Sequence, residues 1–376
     1  MIIDPETINK IKERVNLVDL VKEYTELSKV SKGLWSGHCP HPSHKDSSPS
    51  FKIYEDKKAW YCMGCHVGKK STNHHNYGTD CIAFIQWIEN KSFIDAITFL
   101  SKKYDIELKK DKYHKLYEKN LILARSYNHN LNDKVIDYLI SRGLSKNDIS
   151  DWMIGFDGER ITFPLLDRYN RVVGFSNRIF YNRPDEAKYI NSKNSEIFSK
   201  RLYLYGLNLI DRDFDEVRIT EGTLDTILAS KYKANNIVST LGTAFTEEHL
   251  DLLIKLKKTP VFCFDGDEAG LKALNKAMAI CSSKCVHSKV LLLKDGKDIA
   301  DLSIELQYET ENYISENSIS HNQMVLNSIL NKYDSKMNEV KLKLLPELNE
   351  LVSSIKNENE LFIIKNEINN RINIKF

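Results

Sequence analysis

Acidic side chains follow three separate apolar segments of the chain, at the point where each segment ends. They are Glu221 and Asp225 after Thr220, Asp265 and Asp267 after Phe264, and Asp298 and Asp301 a few residues beyond Leu293. If these segments are parallel strands, their carboxyl ends meet at one edge of a sheet and the carboxylates converge there. Clustered carboxylates repel one another unless a cation neutralises them, and Mg²⁺ or Mn²⁺ suits oxygen ligands of this kind.

Single residues of this set also have an ordinary structural interpretation. Asp225 and Asp267 are each placed to cap the N-terminus of a helix. The repetition of the same chemistry at three strand ends favours a metal site. Glycines at 222, 266 and 270 allow the backbone to approach a ligand or to turn tightly there.

A second set of metal-type ligands lies nearer the N-terminus. Cys39 and His44 are followed by the pair Cys62 and Cys65, which supplies three thiolates and one imidazole on two turns. This composition is typical of a closed structural zinc site, and we predict one zinc ion. His41 is the alternative to His44, but it lies between two prolines and only two residues from Cys39. The other interpretation is that these are unrelated residues in a surface loop. In that case a segment with few aliphatic residues would have no metal ion to stabilise its fold.

Aromatic and basic residues alternate around the paired cysteines. The rings are Phe51, Tyr54, Trp60 and Tyr61, and the lysines are Lys45, Lys52, Lys57 and Lys58. Aromatic faces beside lysines are used to bind single-stranded nucleic acid through base stacking and phosphate neutralisation. A small ribbon also has little besides such rings from which to build a core, so both interpretations stay open.

Apolar periodicity predicts the elements that position these residues. One amphipathic helix or two short ones are predicted over 5–29, and helical structure over 80–104, with short β-segments at 50–54 and 59–62 and a charged linker at 109–119. Further strands are predicted at 160–166, 172–175, 217–220, 237–240, 260–264 and 289–293, with helices at 224–231, 247–256 and 268–282. Residues from 303 onward are predicted to be helical. Strands that alternate with helices imply a parallel sheet. The fold class is therefore α+β and α/β: a small β domain, then an α/β domain with a helical C-terminal segment.

Composition restricts the class of protein further. The chain has 376 residues, 41% of them hydrophobic, and a net charge of +2. Its mean hydropathy of -0.42 and short apolar runs predict a soluble protein with no membrane span. Seven cysteines and an N-terminus without a signal-like segment indicate a reducing compartment, so we expect a cytoplasmic location.

Several motifs in their order along the chain resemble the DnaG-type DNA primase family of bacteria and their phages. The metal cluster resembles its zinc-binding domain. The Glu221-Gly222 pair and the Asp265-x-Asp267-x-Ala-Gly segment resemble its Toprim fold. The segment from Lys188-Tyr-Ile-Asn191 through Gly206 is similar to the basic segment that distinguishes primases from other Toprim proteins. Three further motifs also match: Gly174-Phe-Ser-Asn-Arg178, Arg142-Gly-Leu and Leu241-Gly-Thr-Ala. The resemblance covers about residues 1–302.

The resemblance implies a nucleotidyltransferase that synthesises short RNA primers on a single-stranded DNA template from ribonucleoside triphosphates. It implies metal binding by Glu221, Asp265, Asp267 and Asp298, supported by Asp225 and Asp301. Glu221 has a second possible role as a general base. Contacts to template phosphates or to the nucleotide fall to Lys188, Asn191, Lys200, Arg178 and Arg142. The implied domains are a zinc ribbon (1–108), a basic N-terminal part of the polymerase (109–213), the Toprim subdomain (214–302) and a helical segment (303–376).

The sequence departs from the family pattern in three places. Four residues separate Cys39 from His44 where the family commonly has two, and residues 66–77 resemble an insertion. The third acidic motif reads Asp298-Ile-Ala-Asp301 in place of Asp-Pro-Asp, which leaves the identity of its second carboxylate open. Two other functions use part of these features: a Toprim-type nuclease or topoisomerase-like enzyme, and a non-catalytic adaptor that binds single strands. Contact of the C-terminal segment with a replicative helicase is an expectation from the family's larger members.

Overall fold

A computed structural model describes residues 2–68, 80–181, 186–211, 214–242, 244–294, 296–331, 338–355 and 357–372. The chain divides into two compact units, Met1–Lys119 and Asn120–Phe376. The boundary predicted at residue 108 precedes this division. Most of the predicted insertion lies outside the described residues. Within the described ranges, no helix combines the length and the apolar character needed to cross a bilayer.

The first unit combines a four-stranded antiparallel sheet with helices. Its elements are α1 (Pro5–Arg14), α2 (Leu17–Lys22), β1 (Leu27–Ser31), β2 (Leu34–Gly37), β3 (Phe51–Tyr54), β4 (Ala59–Cys62), α3 (Cys81–Ile88) and α4 (Phe93–Lys103). The strands lie in chain order. Of the two alternatives predicted for residues 5–29, the structure has two short helices, because Asn16 caps a new helix, accepting hydrogen bonds from the N–H groups of Val18 and Asp19.

Strand alternation decides the role of the ribbon's aromatic residues. Phe51 and Trp60 are fully buried and stack at 5.6 Å between ring centroids, and Trp87 stacks on Trp60 at 4.9 Å. These rings build the core, which makes the base-stacking interpretation wrong for Phe51 and Trp60. Tyr54 and Tyr61 lie on the opposite face of the sheet, where Tyr54 is 36% exposed.

The charged segment predicted as a linker is ordered. The N–H of Asp4 donates to the carbonyl of Lys109 at 2.9 Å, which joins this segment to the N-terminus. Asp111 Oδ1 accepts a hydrogen bond from the N–H of Tyr113 at 2.8 Å, just before helix α5 (His114–His129). A local side-chain turn therefore precedes a helix where charge density indicated an irregular connection.

The second unit begins with helices and an antiparallel sheet. These elements are α6 (Asp133–Ser141), α7 (Lys146–Asp151), β5 (Gly155–Phe156), β6 (Ile161–Leu166), β7 (Val172–Arg178) and β8 (Tyr189–Asn191). The sheet order is β5-β6-β7-β8. In the β7–β8 register, Ser176 lies opposite Asn191 and Arg178 lies opposite Tyr189, so these four side chains share one face.

A mostly parallel sheet follows, as the alternation of strands and helices predicted. Its elements are β9 (Glu216–Thr220), α8 (Thr223–Lys231), β10 (Ile237–Ser239), α9 (Glu247–Lys255), β11 (Thr259–Phe262), α10 (Glu268–Ser283), β12 (Lys289–Val290), α11 (Ile299–Leu306), α12 (Thr310–Asn317) and β13 (Ile319–Ser320). The order is β10-β9-β11-β12-β13, and only β13 pairs antiparallel. The predicted α/β class is confirmed.

Three helices complete the described chain: α13 (His321–Asn331), α14 (Asn338–Ser354) and α15 (Glu358–Ile372). They pack around a separate cluster of buried aliphatic side chains that includes Leu326, Leu348 and Ile368. The described residues from 303 onward are mainly helical as predicted, with the short strand β13 as an exception.

Candidate functional site

Glu221 and Asp225 lie at the carboxyl end of β9. Glu221 directly follows the strand, and its Oε1 accepts a hydrogen bond from the N–H of Asp265 at 3.2 Å. Gly222 precedes α8, and Asp225 Oδ2 accepts a hydrogen bond from its N–H at 2.8 Å. The loops that follow the neighbouring strands β9 and β11 are therefore joined directly through the backbone of one aspartate and the side chain of the glutamate.

Asp267 and Asp298 each cap a helix as well as belonging to the acidic set. Asp267 Oδ1 accepts a hydrogen bond from the N–H of Gly270 at 2.7 Å and begins α10. Asp298 Oδ1 accepts one from the N–H of Asp301 at 2.7 Å and begins α11. The capping interpretation and the metal interpretation are compatible, because a carboxylate has a second oxygen.

Close backbone contacts hold the loops after β11 and β12 together. The N–H of Gly266 donates to the carbonyl of Lys297 at 2.9 Å, and the N–H of Gly296 donates to the carbonyl of Gly266 at 3.1 Å. A Cβ atom on Gly266 would lie 2.1 Å from the carbonyl oxygen of Lys294. The approach of these two loops therefore requires glycine at position 266.

Acidic side chains beside the mostly parallel sheet and basic side chains beside the β5–β8 sheet line one cavity of about 220 Å³. The charged residues in its lining are Glu221, Asp225, Asp265, Asp298, Arg142, Arg178 and Lys188. Asp267, Asp301, Asn191 and Lys200 are not in the lining. Asp267 lies close enough to repel Asp265, and Asp301 is hydrogen-bonded to Asp298. The structure thus brings together four predicted carboxylates and three predicted cations.

The carboxylates raise one another's affinity for protons. Burial, followed by repulsion from Glu221 and the other carboxylates, raises the pKa of Asp265 to about 7. Burial, followed by repulsion from Asp298, raises the pKa of Asp225 to about 7. Burial also raises the pKa of Glu221. Several negative charges close together in a cavity are unfavourable unless a cation neutralises them. Carboxylate oxygens are ligands that Mg²⁺ prefers, so these residues fit a bound Mg²⁺.

The basic side chains lie at the ends of the elements: Arg178 ends β7, Lys188 directly precedes β8, and Arg142 directly follows α6. Arg178 is 6% exposed; its Nη1 donates to the hydroxyl of Tyr189 at 2.7 Å, and its guanidinium lies 5.2 Å from the Tyr189 ring. Burial, followed by repulsion from Arg178 and Arg142, lowers the pKa of Lys188. Three neighbouring cations beside a carboxylate cluster are an arrangement that suits a phosphate group carrying its own metal.

Sequence analysis quoted Tyr189, Leu241 and Gly242 within motifs of the family resemblance but assigned them no role, and all three line the cavity. Tyr189 was detectable, because it lies between two residues of the basic segment. Asn191 does not line the cavity, and its Nδ2 instead donates to the carbonyl of Leu241 at 3.2 Å. Lys200 lies beyond β8, where its N–H donates to Asn194 Oδ1 at 3.1 Å.

The zinc ligands converge in the first unit. One ligand atom from each of Cys39, His44, Cys62 and Cys65 lies within 4.8 Å of the others. Cys39 Sγ is 4.0 Å from Cys65 Sγ, and Cys62 Sγ is 3.5 Å from His44 Nδ1. These distances match the edges of about 3.8 Å in a tetrahedron with zinc–sulfur bonds of about 2.3 Å. The cluster fits one structural zinc ion.

Neighbouring residues order the turn between Cys39 and Ser50 and place His41 elsewhere. Asp46 Oδ2 accepts hydrogen bonds from the N–H of Cys39 at 2.8 Å and from Ser50 Oγ at 2.7 Å, which closes the first ligand turn. His41 instead stacks on Trp87, with 5.0 Å between ring centroids. The geometry therefore favours His44 over His41 as the fourth ligand.

The fold and the two sites define a class of protein with a zinc ribbon and a Toprim-type α/β domain that has an acidic, cation-binding edge. Three protein families match the chain in order along its length. They are the CHC2 zinc finger over residues 3–116, the DNA primase catalytic core N-terminal domain over 157–211, and the Toprim-like family over 218–303. The resemblance to DnaG-type primases is confirmed, and with it the zinc ion and the Mg²⁺ that a Toprim domain implies.

Curated relatives of this chain are named DNA primase. A DNA primase of Clostridium acetobutylicum is 26% identical over 94% of this chain and 66% of its own length. A DNA primase of Campylobacter jejuni is 30% identical over 80% of this chain and 55% of its own length. The chain spans between about half and two thirds of the length of these two relatives.

Solved structures share the fold. The Aquifex aeolicus primase, comprising zinc-binding and RNA polymerase domains, covers 98% of this chain with 97% of its own, at a TM-score of 0.57 and 24% identity. A DnaG primase catalytic domain bound to single-stranded DNA covers 69% of this chain with 96% of its own, at a TM-score of 0.58 and 25% identity.

Proposed function

We propose that this chain is a DNA primase, a DNA-directed RNA polymerase that makes short RNA primers on single-stranded DNA from ribonucleoside triphosphates. The observation that carries the proposal is the meeting of four carboxylates and three basic side chains in one cavity. Relatives named DNA primase support it, as does the DnaG catalytic domain that was solved with single-stranded DNA. The chain spans only part of the length of these relatives, so we infer its activity, template and nucleotides from the cavity and from the relatives together.

The proposed reaction joins a 3′-hydroxyl to the α-phosphorus of a nucleoside triphosphate. The new bond forms from the 3′-oxygen, the bond from the α-phosphorus to the bridging oxygen breaks, and pyrophosphate leaves. A bound divalent cation would lower the pKa of the attacking hydroxyl and offset the charge that develops on the phosphates. Glu221, Asp265 and Asp298, with Asp267 beside them, are the proposed ligands; Asp225 and Asp301 support them.

The basic residues would orient the triphosphate. Arg178 is held by Tyr189, so little side-chain entropy is lost when its guanidinium binds phosphate oxygens. Lys188 and Arg142 add positive charge from separate elements. Glu221 Oε1 accepts the N–H of Asp265, which leaves Oε2 as the atom to bind a cation or accept the proton of the 3′-hydroxyl; its raised pKa suits the second role. Lys200 is proposed to contact template phosphates.

Three further parts of the proposal concern partners and location. Tyr54 and Tyr61, with Lys52 on the same face of the zinc ribbon, are proposed to contact the template. The helical segment 303–376 is the proposed region of contact with a replicative helicase, supported by its separate apolar core. A cytoplasmic location is proposed because thiolate ligands for zinc persist in a reducing compartment.

A primer-synthesis assay tests the central proposal. With single-stranded DNA, labelled ribonucleotides and Mg²⁺, the wild type should produce short oligoribonucleotides, and Asp265→Ala should reduce their formation at least about a hundredfold. Glu268→Ala is the matched control. It removes a neighbouring exposed carboxylate that pairs with Lys272, outside the cavity lining, and should keep full activity. Retained synthesis by a folded Asp265→Ala protein would contradict the site assignment.

The same experiment with labelled DNA separates the two other functions. A Toprim-type nuclease or topoisomerase-like enzyme would cut or rejoin the DNA strand and release no oligoribonucleotides. An adaptor would bind the strand and leave both DNA and ribonucleotides unchanged. Either result with a zinc-loaded, folded wild type would overturn the proposal of primer synthesis.

A further inference from the structure

The turn after β10 has an unusual backbone. Leu241 and Gly242 both have positive φ angles, 61° and 65°. Glycine adopts this left-handed conformation readily, but a branched side chain such as leucine rarely does. Both residues line the cavity that holds the acidic cluster. Strained backbone of this kind persists only where surrounding contacts hold it.

Two hydrogen bonds hold the turn. Asn191 Nδ2, from the end of β8, donates to the carbonyl of Leu241 at 3.2 Å. The N–H of Gly242 donates to the carbonyl of Glu221 at 2.7 Å. The turn therefore joins the antiparallel sheet, through Asn191, to the backbone of the glutamate that begins the acidic edge.

The carbonyl oxygen of the Asn191 side chain adds no hydrogen bond of its own among the described residues. Within the described ranges, Asn191 Oδ1 is buried without a hydrogen-bond donor. A buried acceptor left unpaired reduces stability, so the amide is poorly explained as a general stabilising group. Its bond to Leu241 is the contact that relates it to the cavity, because Asn191 is not itself part of the lining.

We propose that Asn191 is a positioning residue that holds the Leu241–Gly242 turn in its left-handed conformation and, through Gly242, fixes the backbone of Glu221. It acts on the cavity from behind the turn and does not contact the nucleotide. The consequence for catalysis rests on the proposed function; the consequence for the turn does not.

Hydrogen exchange tests the turn without reference to activity. Asn191→Ala should make the amide hydrogen of Gly242 exchange about three- to tenfold faster, which is the change expected from the loss of one hydrogen bond. Asn208→Ala is the matched control, because it removes an amide that donates to Asn170 Oδ1 at 2.9 Å, away from the lining. It should leave Gly242 unchanged. Equal exchange in wild type and Asn191→Ala overturns the proposal.

A double-mutant cycle tests the connection to the acidic edge. Gly242→Ala adds a methyl group that meets no atom within 4 Å, so its effect comes from backbone strain alone. Asn191→Ala and Gly242→Ala should each weaken Mn²⁺ binding about three- to tenfold. Combined, they should do little more than either alone, since both act on one turn. Multiplicative effects on Mn²⁺ affinity overturn the proposal.

Kinetics then separate this proposal from the proposed function. If the wild type makes primers, the same sub-multiplicative pattern is expected in kcat/KM, and Asn191→Ala should lower kcat with little change in KM for the nucleotide. A rise in KM alone would indicate direct nucleotide contact and overturn the positioning role. If the wild type makes no primers, the proposed function fails, and the exchange and Mn²⁺ measurements still decide the role of Asn191.

Discussion

Replacement of Asp225 by asparagine tests whether the acidic cluster is under electrostatic strain when no divalent cation is bound. The substitution keeps an oxygen that can accept the hydrogen bond from the N–H of Gly222, and it removes one negative charge from the cavity. Because Asp225 is repelled by Asp298 and Glu221, the uncharged variant should be the more stable protein in magnesium-free buffer at pH 8.

The size of the effect follows from the pKa of Asp225, which rises from 3.8 to about 7 on folding. The folded state keeps this proton up to about pH 7 and the unfolded state releases it near pH 4, so wild-type stability falls as the pH rises through that interval. The difference corresponds to about 4 kcal/mol at 1.36 kcal/mol per pKa unit. Solvent in the open cavity screens the charge and reduces the gain to about 1 to 2 kcal/mol.

Thermal unfolding followed by circular dichroism measures this gain. At pH 8 without Mg²⁺, Asp225→Asn should melt about 3 to 6 °C above the wild type. At pH 5 the gain should fall by more than half, and saturating Mg²⁺ should remove or reverse it because the ion neutralises the wild-type cluster. Asp251→Asn is the control, since Asp251 pairs with Lys284 and lies outside the lining. A variant that is less stable than the wild type at pH 8 would refute the repulsion argument.

Three further predictions concern the zinc cluster and a buried ion pair. Cys62→Ser should lower the zinc content from one ion per chain, as measured by metal analysis, and should abolish the cooperative unfolding of the first unit. His44→Ala should lose zinc and His41→Ala should keep it; the reverse result would exchange their roles. Glu311→Ala should lower the free energy of unfolding in urea by about 2 to 3 kcal/mol, because the fully buried Arg218 loses its partner at 2.5 Å and keeps the carboxylate of Glu216 at 3.5 Å. Replacing both partners with apolar residues should recover most of that loss.

Sequence analysis could predict what local rules determine. The acidic residues were predicted to converge because parallel strands present their carboxyl ends at one edge of a sheet, and β9, β11 and β12 are parallel neighbours in the structure. Zinc ligation was accessible because the Cys62–Cys65 turn is a local feature with a fixed reach. The close backbone pairing of the loops around Gly266 was foreseen only as a tight turn.

Other features depend on contacts between distant segments. Asn191 was predicted to contact template or nucleotide, but its amide meets a carbonyl from Leu241, fifty residues away. Strand β13 has two residues and exists by pairing with β12, so no periodicity marks it. Phe51 and Trp60 could not be assigned to core or surface until the strand register fixed which face they share. In each case the deciding partner lies far along the chain.

The pairing of two acidic loops at Gly266 limits how this protein can change. Any side chain there would push the carbonyl of Lys294 away and separate the segments that carry Asp265 and Asp298. Directed evolution of the cavity toward a larger ion should therefore yield no active variant with a substitution at position 266. Gly242 offers more room, since a Cβ atom there would meet no atom within 4 Å, and it lies on the other side of Glu221 in the hydrogen-bonded network.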